Sequence, residues 1–237
     1  MKSLILGTAI AAVSATLAFA ETTVRLGTEG AYPPYNFLND AGEVDGFERE
    51  LGDELCKRAE LTCEWVTNDW ASIIPNLTSG NYDAIIAGMS ITAERREVVA
   101  FTQGYTRPSP SAYAALAEDA DRENGVVAAQ TGTIQANHVV TTNATLVEFP
   151  NPDENVAAVM SGEVDAVLAD KDFLLPLVDS TELVFVGDDV LLGEGIGMAF
   201  RQSDDELRGK FDAAIATMKE DGSLNALLDK WEIEGKF

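Results

Sequence analysis

The sequence predicts an α/β protein built as two similar halves, and two observations lead there. Short apolar runs alternate with segments of helical apolar period from Val24 to Trp231, the pattern of parallel strands joined by helices. The chain also echoes itself. Ser79-Gly-Asn-Tyr-Asp-Ala-Ile-Ile-Ala-Gly88 and Ser161-Gly-Glu-Val-Asp-Ala-Val-Leu-Ala-Asp170 each read as a helix end, a glycine turn and an Asp-Ala-apolar strand. Sheets of this kind hold ligands beyond the carboxyl ends of their strands. That rule selects Gly88, Met89 and Ser90 in one half, and Thr131 to Thr133 with Asp170 in the other.

Taken in order, Val24 to Gly27 reads as the first strand, and Thr28 to Tyr35 as a Pro/Gly-rich loop carrying Tyr32. Phe47, Leu51, Leu55 and Ala59 recur at four-residue steps and predict a helix, whose acidic start at Glu48 and Glu50 suits its dipole. Thr62 to Val66 is a second strand. Asn68-Asp69-Trp70 leads into a short helix that Pro75 should kink. Ala84 to Ala87 is a buried strand, with Ser90 and Thr92 as candidate caps of the helix after it. Phe101 to Ser111 is extended, because Pro108 and Pro110 forbid a helix. In the second half, strands are expected at 125–129, 146–149, 164–169 and 183–186, and helices from Ile134 and over 155–160 and 173–178. Gly193, Gly195 and Gly197 loosen the chain before Met198-Ala199-Phe200, and helices over 204–221 and 223–231 follow.

The chain has 237 residues, enough for two small domains or one large one, and a formal net charge of −24. Acidic residues are spread along it, which makes a solvated surface and argues against nucleic acid or an anionic membrane as partner. Lys2, the apolar run Leu4 to Leu17 and Ala18-Phe19-Ala20 read as a cleaved export leader over residues 1–20. In an exported protein the two cysteines, Cys56 and Cys63, invite a disulfide. Two thiols and one distant histidine, His138, make a poor metal set, so neither metal nor cofactor is expected.

Charge divides the candidate functional groups. A helix N-terminus disfavours cations, so Arg95 and Arg96 beside Ser90 suggest an anion between them, a carboxylate trap completed by N–H groups near Thr133. Surface pairing with nearby acids is the plain alternative for the arginines. Asp170 suits an ammonium, or else simply caps a helix. Together these groups describe the head of an α-amino acid. Tyr32 and Trp70 sit on loops and could flank an alkyl chain or a guanidinium, or only pack their loops. Glu29, and with it Glu48, could meet a far cation. There is no Gly-x-Ser-x-Gly sequence and no His/Cys pair to suggest a nucleophilic enzyme.

At this point the residues resemble a known family, the type-3 periplasmic solute-binding proteins that feed amino-acid ABC importers. Gly46-Phe-Glu-Arg-Glu-Leu-Gly-Asp-Glu-Leu-Cys-Lys-Arg58 resembles the family signature, with Arg49 where an apolar residue is usual. Thr28 to Phe37, Asp83 to Arg95 and Phe101 to Tyr105 are similar too. The spacing of Cys56 and Cys63 is like that of the lysine/arginine/ornithine-binding branch, and opine-binding relatives share the Glu29, Tyr32 and Trp70 pattern. The resemblance implies a two-lobed periplasmic-binding-protein (type II) fold, each lobe a mainly parallel sheet flanked by helices, with two hinge strands between. Lobe 1 would comprise 21–107 and 198–237, and lobe 2 108–197. It implies that Ser90, Arg95 and the backbone of Thr133 hold an α-carboxylate, with Gly88 and Met89 beside them, and that Asp170 holds the α-amine. Tyr32 and Trp70 would sandwich the side chain, and Glu29 and Glu48 would face its distal cation. Ala87 and Gly88 stand where that branch has serines, and Ile134 where it has a glutamine. The implied function is a monomeric periplasmic component of an amino-acid importer that takes an arginine-, lysine- or ornithine-like ligand to a membrane permease. An octopine-like ligand and a cyclohexadienyl-dehydratase-like enzyme on the same fold are the alternatives.

Overall fold

The computed structural model describes residues 23–237. The leader expected over 1–20 lies outside the described residues. The chain enters as β1 (Val24–Thr28) and makes a small meander, β2 (Ala31–Tyr32), β3 (Asn36–Leu38) and β4 (Val44–Asp45). It continues as α1 (Phe47–Arg58), β5 (Cys63–Thr67), α2 (Ile73–Thr78), β6 (Ala84–Ile85), α3 (Ala93–Arg96) and β7 (Val99–Phe101). It crosses to β8 (Pro110–Ala115), β9 (Val126–Gln130), α4 (Ile134–Val140), β10 (Thr145–Phe149), α5 (Pro152–Met160), β11 (Ala166–Asp170), α6 (Lys171–Ser180) and β12 (Val184–Leu191). A return crossing leads to β13 (Ala199–Arg201), α7 (Asp205–Glu220) and α8 (Ser223–Lys230).

Two five-stranded sheets result, ordered β5-β1-β6-β13-β7 and β10-β9-β11-β8-β12. They are built alike. In each the first three strands are parallel, the fourth is reversed and the fifth runs with the first three. The reversed strand, β13 or β8, is the one that arrives from the other sheet. The meander of β2, β3 and β4 stands where the sequence reads as loop and turn. Its strands are two or three residues long, too short to show a period of two.

Helix α1 forms because Phe47, Leu51 and Leu55, all fully buried, share one face. Each contributes about 2 kcal/mol of apolar burial. Gly46 caps it at φ 112, where a Cβ would stand 2.7 Å from the Tyr35 carbonyl oxygen, so only glycine fits. Cys56 and Cys63 are bonded, tying the end of α1 to β5. Pro75, where a kink is expected, falls at the third residue of α2. A 3₁₀ turn over Trp70–Ser72 leads into α2, so Pro75 lies in the first turn, where no N–H is needed. Helix α5 starts earlier than expected, at Pro152, because Asn151 and Glu154 form a capping box ahead of it. The first lobe's core joins α1, α7 and α8 to one face of its sheet, around Leu26, Phe47, Phe200 and Phe211. The second lobe's core gathers Val159, Val167, Phe173 and Leu174. Among the described residues no helix is long and apolar enough to cross a membrane.

Candidate functional site

The carboxyl ends of β1 and β6 face those of β9 and β11 across a cleft. Most of the lining follows from a strand end or the turn after it. Glu29 and Tyr32 come after β1, and Ala87, Gly88 and Ser90 after β6. Gln130 ends β9, with Thr133, Ile134 and Gln135 opening α4 beyond it, and Asp170 ends β11. Trp70 and Arg95 complete the wall.

Arg95 is the cleft's cation. Thr92, not Ser90, caps α3, its hydroxyl accepting from the Arg95 N–H at 3.1 Å. Ser90 instead pairs with Ile196 in the return crossing. The guanidinium lies 5.2 Å from the Trp70 ring centroid and donates to the carbonyl oxygens of Ser90 (2.9 Å) and Gly132 (3.3 Å). Burial brings its pKa down to about 10, against the pull of Asp170 and Glu94, so it stays charged at neutral pH. Arg96 points the other way, to Glu194 at 2.8 Å on the surface.

Asp170 precedes α6 without capping it through its side chain. Its Oδ2 accepts from the Tyr32 hydroxyl at 2.8 Å, and its Oδ1 from Gln135 Nε2 at 3.0 Å. Burial raises its pKa to about 6, with Asp172 adding to the rise and Tyr32, Arg95 and Gln135 opposing it. The Tyr32 ring lies parallel to Phe173 with centroids 4.4 Å apart, so the first lobe's tyrosine is seated on the second lobe. Trp70 likewise reaches over, its Nε1 donating to the Gly132 carbonyl at 3.4 Å. Thr133 caps α4, its Oγ1 accepting from the Ala136 N–H.

Glu29 occupies the far end. Its Oε1 accepts from Gln130 Nε2 at 2.6 Å, a bond between lobes. Burial raises its pKa to about 7; the Gln130 bond opposes this, while Asp69, Asp153 and Glu48 add to it.

Two expected ligand residues lie elsewhere. Glu48 is fully buried behind the wall. Its Oε1 accepts from the Gly88 N–H at 2.6 Å and from the Tyr105 hydroxyl, and its Oε2 from Asn36 Nδ2 at 2.7 Å. Asn36 in turn accepts from the Gly30 N–H at 2.7 Å. Glu48 therefore braces two backbone segments on the first lobe's side of the slot, at Gly88 directly and at Gly30 through Asn36, and does not line the slot itself. Met89 is also fully buried, packed with Trp70, Ile73, Tyr82 and Ile85. Its neighbours Gly88 and Ser90 reach the cleft while its side chain enters the core. Conversely, Gln130 and Gln135 line the cleft without having been singled out in the sequence. The strand-end rule could have found Gln130. Nothing in the sequence marks Gln135, a neutral helix residue.

A slot between two like-built α/β lobes, holding two carboxyls, a guanidinium and two aromatic rings, defines a small-molecule-binding protein of the two-lobed periplasmic type. Residues 24–234 match the bacterial extracellular solute-binding proteins, family 3, and the chain belongs to that family. It is 31% identical over 229 residues to the L-arginine-binding protein of Pseudomonas aeruginosa, covering 90% of this chain and 88% of that one. It is 29% identical to the lysine/arginine/ornithine-binding periplasmic protein of Escherichia coli, covering 97% and 94%. Among solved structures, a periplasmic His/Glu/Gln/Arg/opine family-binding protein from Silicibacter pomeroyi in complex with lysine is 68% identical. It superposes with a TM-score of 0.86 over 88% of this chain and 96% of that one.

Proposed function

We propose that this chain is the periplasmic, monomeric binding component of an amino-acid ABC importer, and that it takes a cationic L-amino acid, arginine-like first. The charge balance of the slot carries this reading. Glu29 and Asp170 set two carboxylates against the one guanidinium of Arg95, a net −1 when all are ionised. An α-amino acid with a cationic side chain is +1, and each of its charges then finds an opposite partner, which is what makes desolvating all of them tolerable. In this reading Arg95, Ser90 and the N–H of Thr133 hold the α-carboxylate, and Asp170 holds the α-ammonium. Tyr32 and Trp70 flank the aliphatic stem, Gly88 forms the floor, and Glu29 receives the distal cation. Closure of the two lobes over the ligand then presents one conformation to the membrane permease. The relatives named for arginine and lysine support the same ligand class.

The test is a calorimetric titration of the mature protein with arginine, lysine, histidine, octopine, glutamine, glutamate and a prephenate-like acid. Arginine or lysine should bind tightest. Tight binding of glutamate or the prephenate-like acid without arginine would sink the cationic reading.

A further inference from the structure

Among the described residues Glu29 is the slot's carboxyl set against a distal cation, so whatever fixes Glu29 bears on the choice between a cationic side chain and a neutral one of the same shape. The residue that does so belongs to the opposite lobe. Gln130 ends β9, and Glu29 directly follows β1. These two strands hold the same place, second in order, in the two like-built sheets. Their carboxyl ends therefore meet head-on across the cleft. Gln130 is buried, 8% exposed. Its Nε2 donates to Glu29 Oε1 at 2.6 Å and to the Pro150 carbonyl at 3.0 Å. Both amide hydrogens are used, so the amide cannot rotate without losing a bond. Among the described residues only Oε1 of Glu29 receives a hydrogen bond, which leaves Oε2 turned to other partners.

We propose that Gln130 is a specificity-determining positioning residue: from the second lobe it fixes the Glu29 carboxylate, so that the contact selecting a cationic side chain is completed only when the lobes close. Binding of the α-amino-acid head and discrimination of the tail thereby become separate steps. A neutral ligand meets the same head groups but gains nothing from the Gln130–Glu29 bond. The surroundings of Glu29 agree with this. Asp69, Asp153 and Glu48 all favour its protonated form, as does burial, and the Gln130 bond is the one favourable influence on its carboxylate.

The inference rests on the cationic reading of the site, and arginine paired with citrulline, its uncharged near-isostere, keeps the two separable. In wild-type protein arginine should bind more tightly than citrulline; equal affinities would overturn the cationic reading before any variant is made. In Gln130→Met, similar in length but without a donor, the arginine-to-citrulline affinity ratio should fall about tenfold, the worth of a hydrogen bond to a charged group. Citrulline affinity should stay within about twofold. The pH at which arginine affinity is half-lost should also rise in the variant, with no matching change for citrulline. If the ratio and the midpoint match wild type, Gln130 does not set specificity. If both ligands weaken equally, Gln130 only packs the cleft, and the inference fails again.

Discussion

The two raised carboxyls should make ligand binding steeply dependent on pH, and differently for ligands that differ only in charge. Glu29 has a pKa of about 7 and Asp170 of about 6, both raised chiefly by burial. A cation binds the ionised form, so protonation competes with it and affinity falls as pH falls through each pKa. Between pH 8 and pH 6 the ionised fraction of Glu29 drops from about 0.9 to about 0.1, a factor of about ten. That of Asp170 drops from about 1 to about 0.5, a factor of about two. Bound through both groups, as proposed, arginine should bind about twentyfold more weakly at pH 6 than at pH 8. Citrulline uses only Asp170 and should lose about twofold. Calorimetry at fixed ionic strength reads both. Parallel curves for the two ligands, or an arginine affinity flat over this range, would refute the assignment of Glu29 to the distal cation. Folding stability runs the other way. An acid whose folded pKa is raised holds extra protons in the folded state, so the unliganded protein should gain melting temperature as pH falls from 8 to 6.

Arg95→Ala should weaken every α-amino acid about a hundredfold or more, because a carboxylate is left in the cleft without its charged donor. Calorimetry with arginine and glutamine checks this, and loss confined to arginine would reassign Arg95. Glu48→Ala orphans the Gly88 N–H, Asn36 and the Tyr105 hydroxyl, and should cost about 3 kcal/mol or more, read as a fall of roughly 6–12 °C in thermal melting. If Glu48 faced the ligand instead, arginine affinity would fall with melting nearly unchanged. Reducing the Cys56–Cys63 bond, which closes a short loop, should cost about 2.5 kcal/mol of stability, measured by chemical denaturation. Because that bond joins α1 to β5 away from the cleft, arginine affinity at 25 °C should stay within about twofold.

Much of this architecture is legible in the chain. The alternation of strands and helices predicts α/β sheets, and the echo between 79–88 and 161–170 marks β6 and β11, the equivalent third strands of the two sheets. The strand-end rule reaches Gly88, Ser90, Thr133 and Asp170 because a parallel strand must deliver its next residues to one edge of the sheet. Sequence reasoning stumbles where neighbours in the chain face opposite ways. Met89 follows Gly88 but enters the core, and Glu48 shares the three-and-four spacing of Leu51, Gly52 and Leu55, which put it on the buried side of α1. That spacing is readable, but the resemblance to cation-binding relatives points Glu48 at a ligand instead of into the first lobe's core. Gln130 and Gln135 carry no charge, Gln130 opening a turn and Gln135 lying in a helix. Their importance comes from what the other lobe, or a strand over thirty residues further on, brings to meet them.

The reversed strand in each sheet has a consequence for how the molecule comes into being. β13 lies between β6 and β7, so a nascent polypeptide that stops before Ala199 has a gap in the middle of its first sheet. The amino-terminal half cannot finish folding on the ribosome ahead of the rest, and it cannot be excised as a working module. Its completion waits for a three-residue segment, the last strand of either sheet to be made, so the first lobe to be synthesised is also the one whose sheet stays open longest.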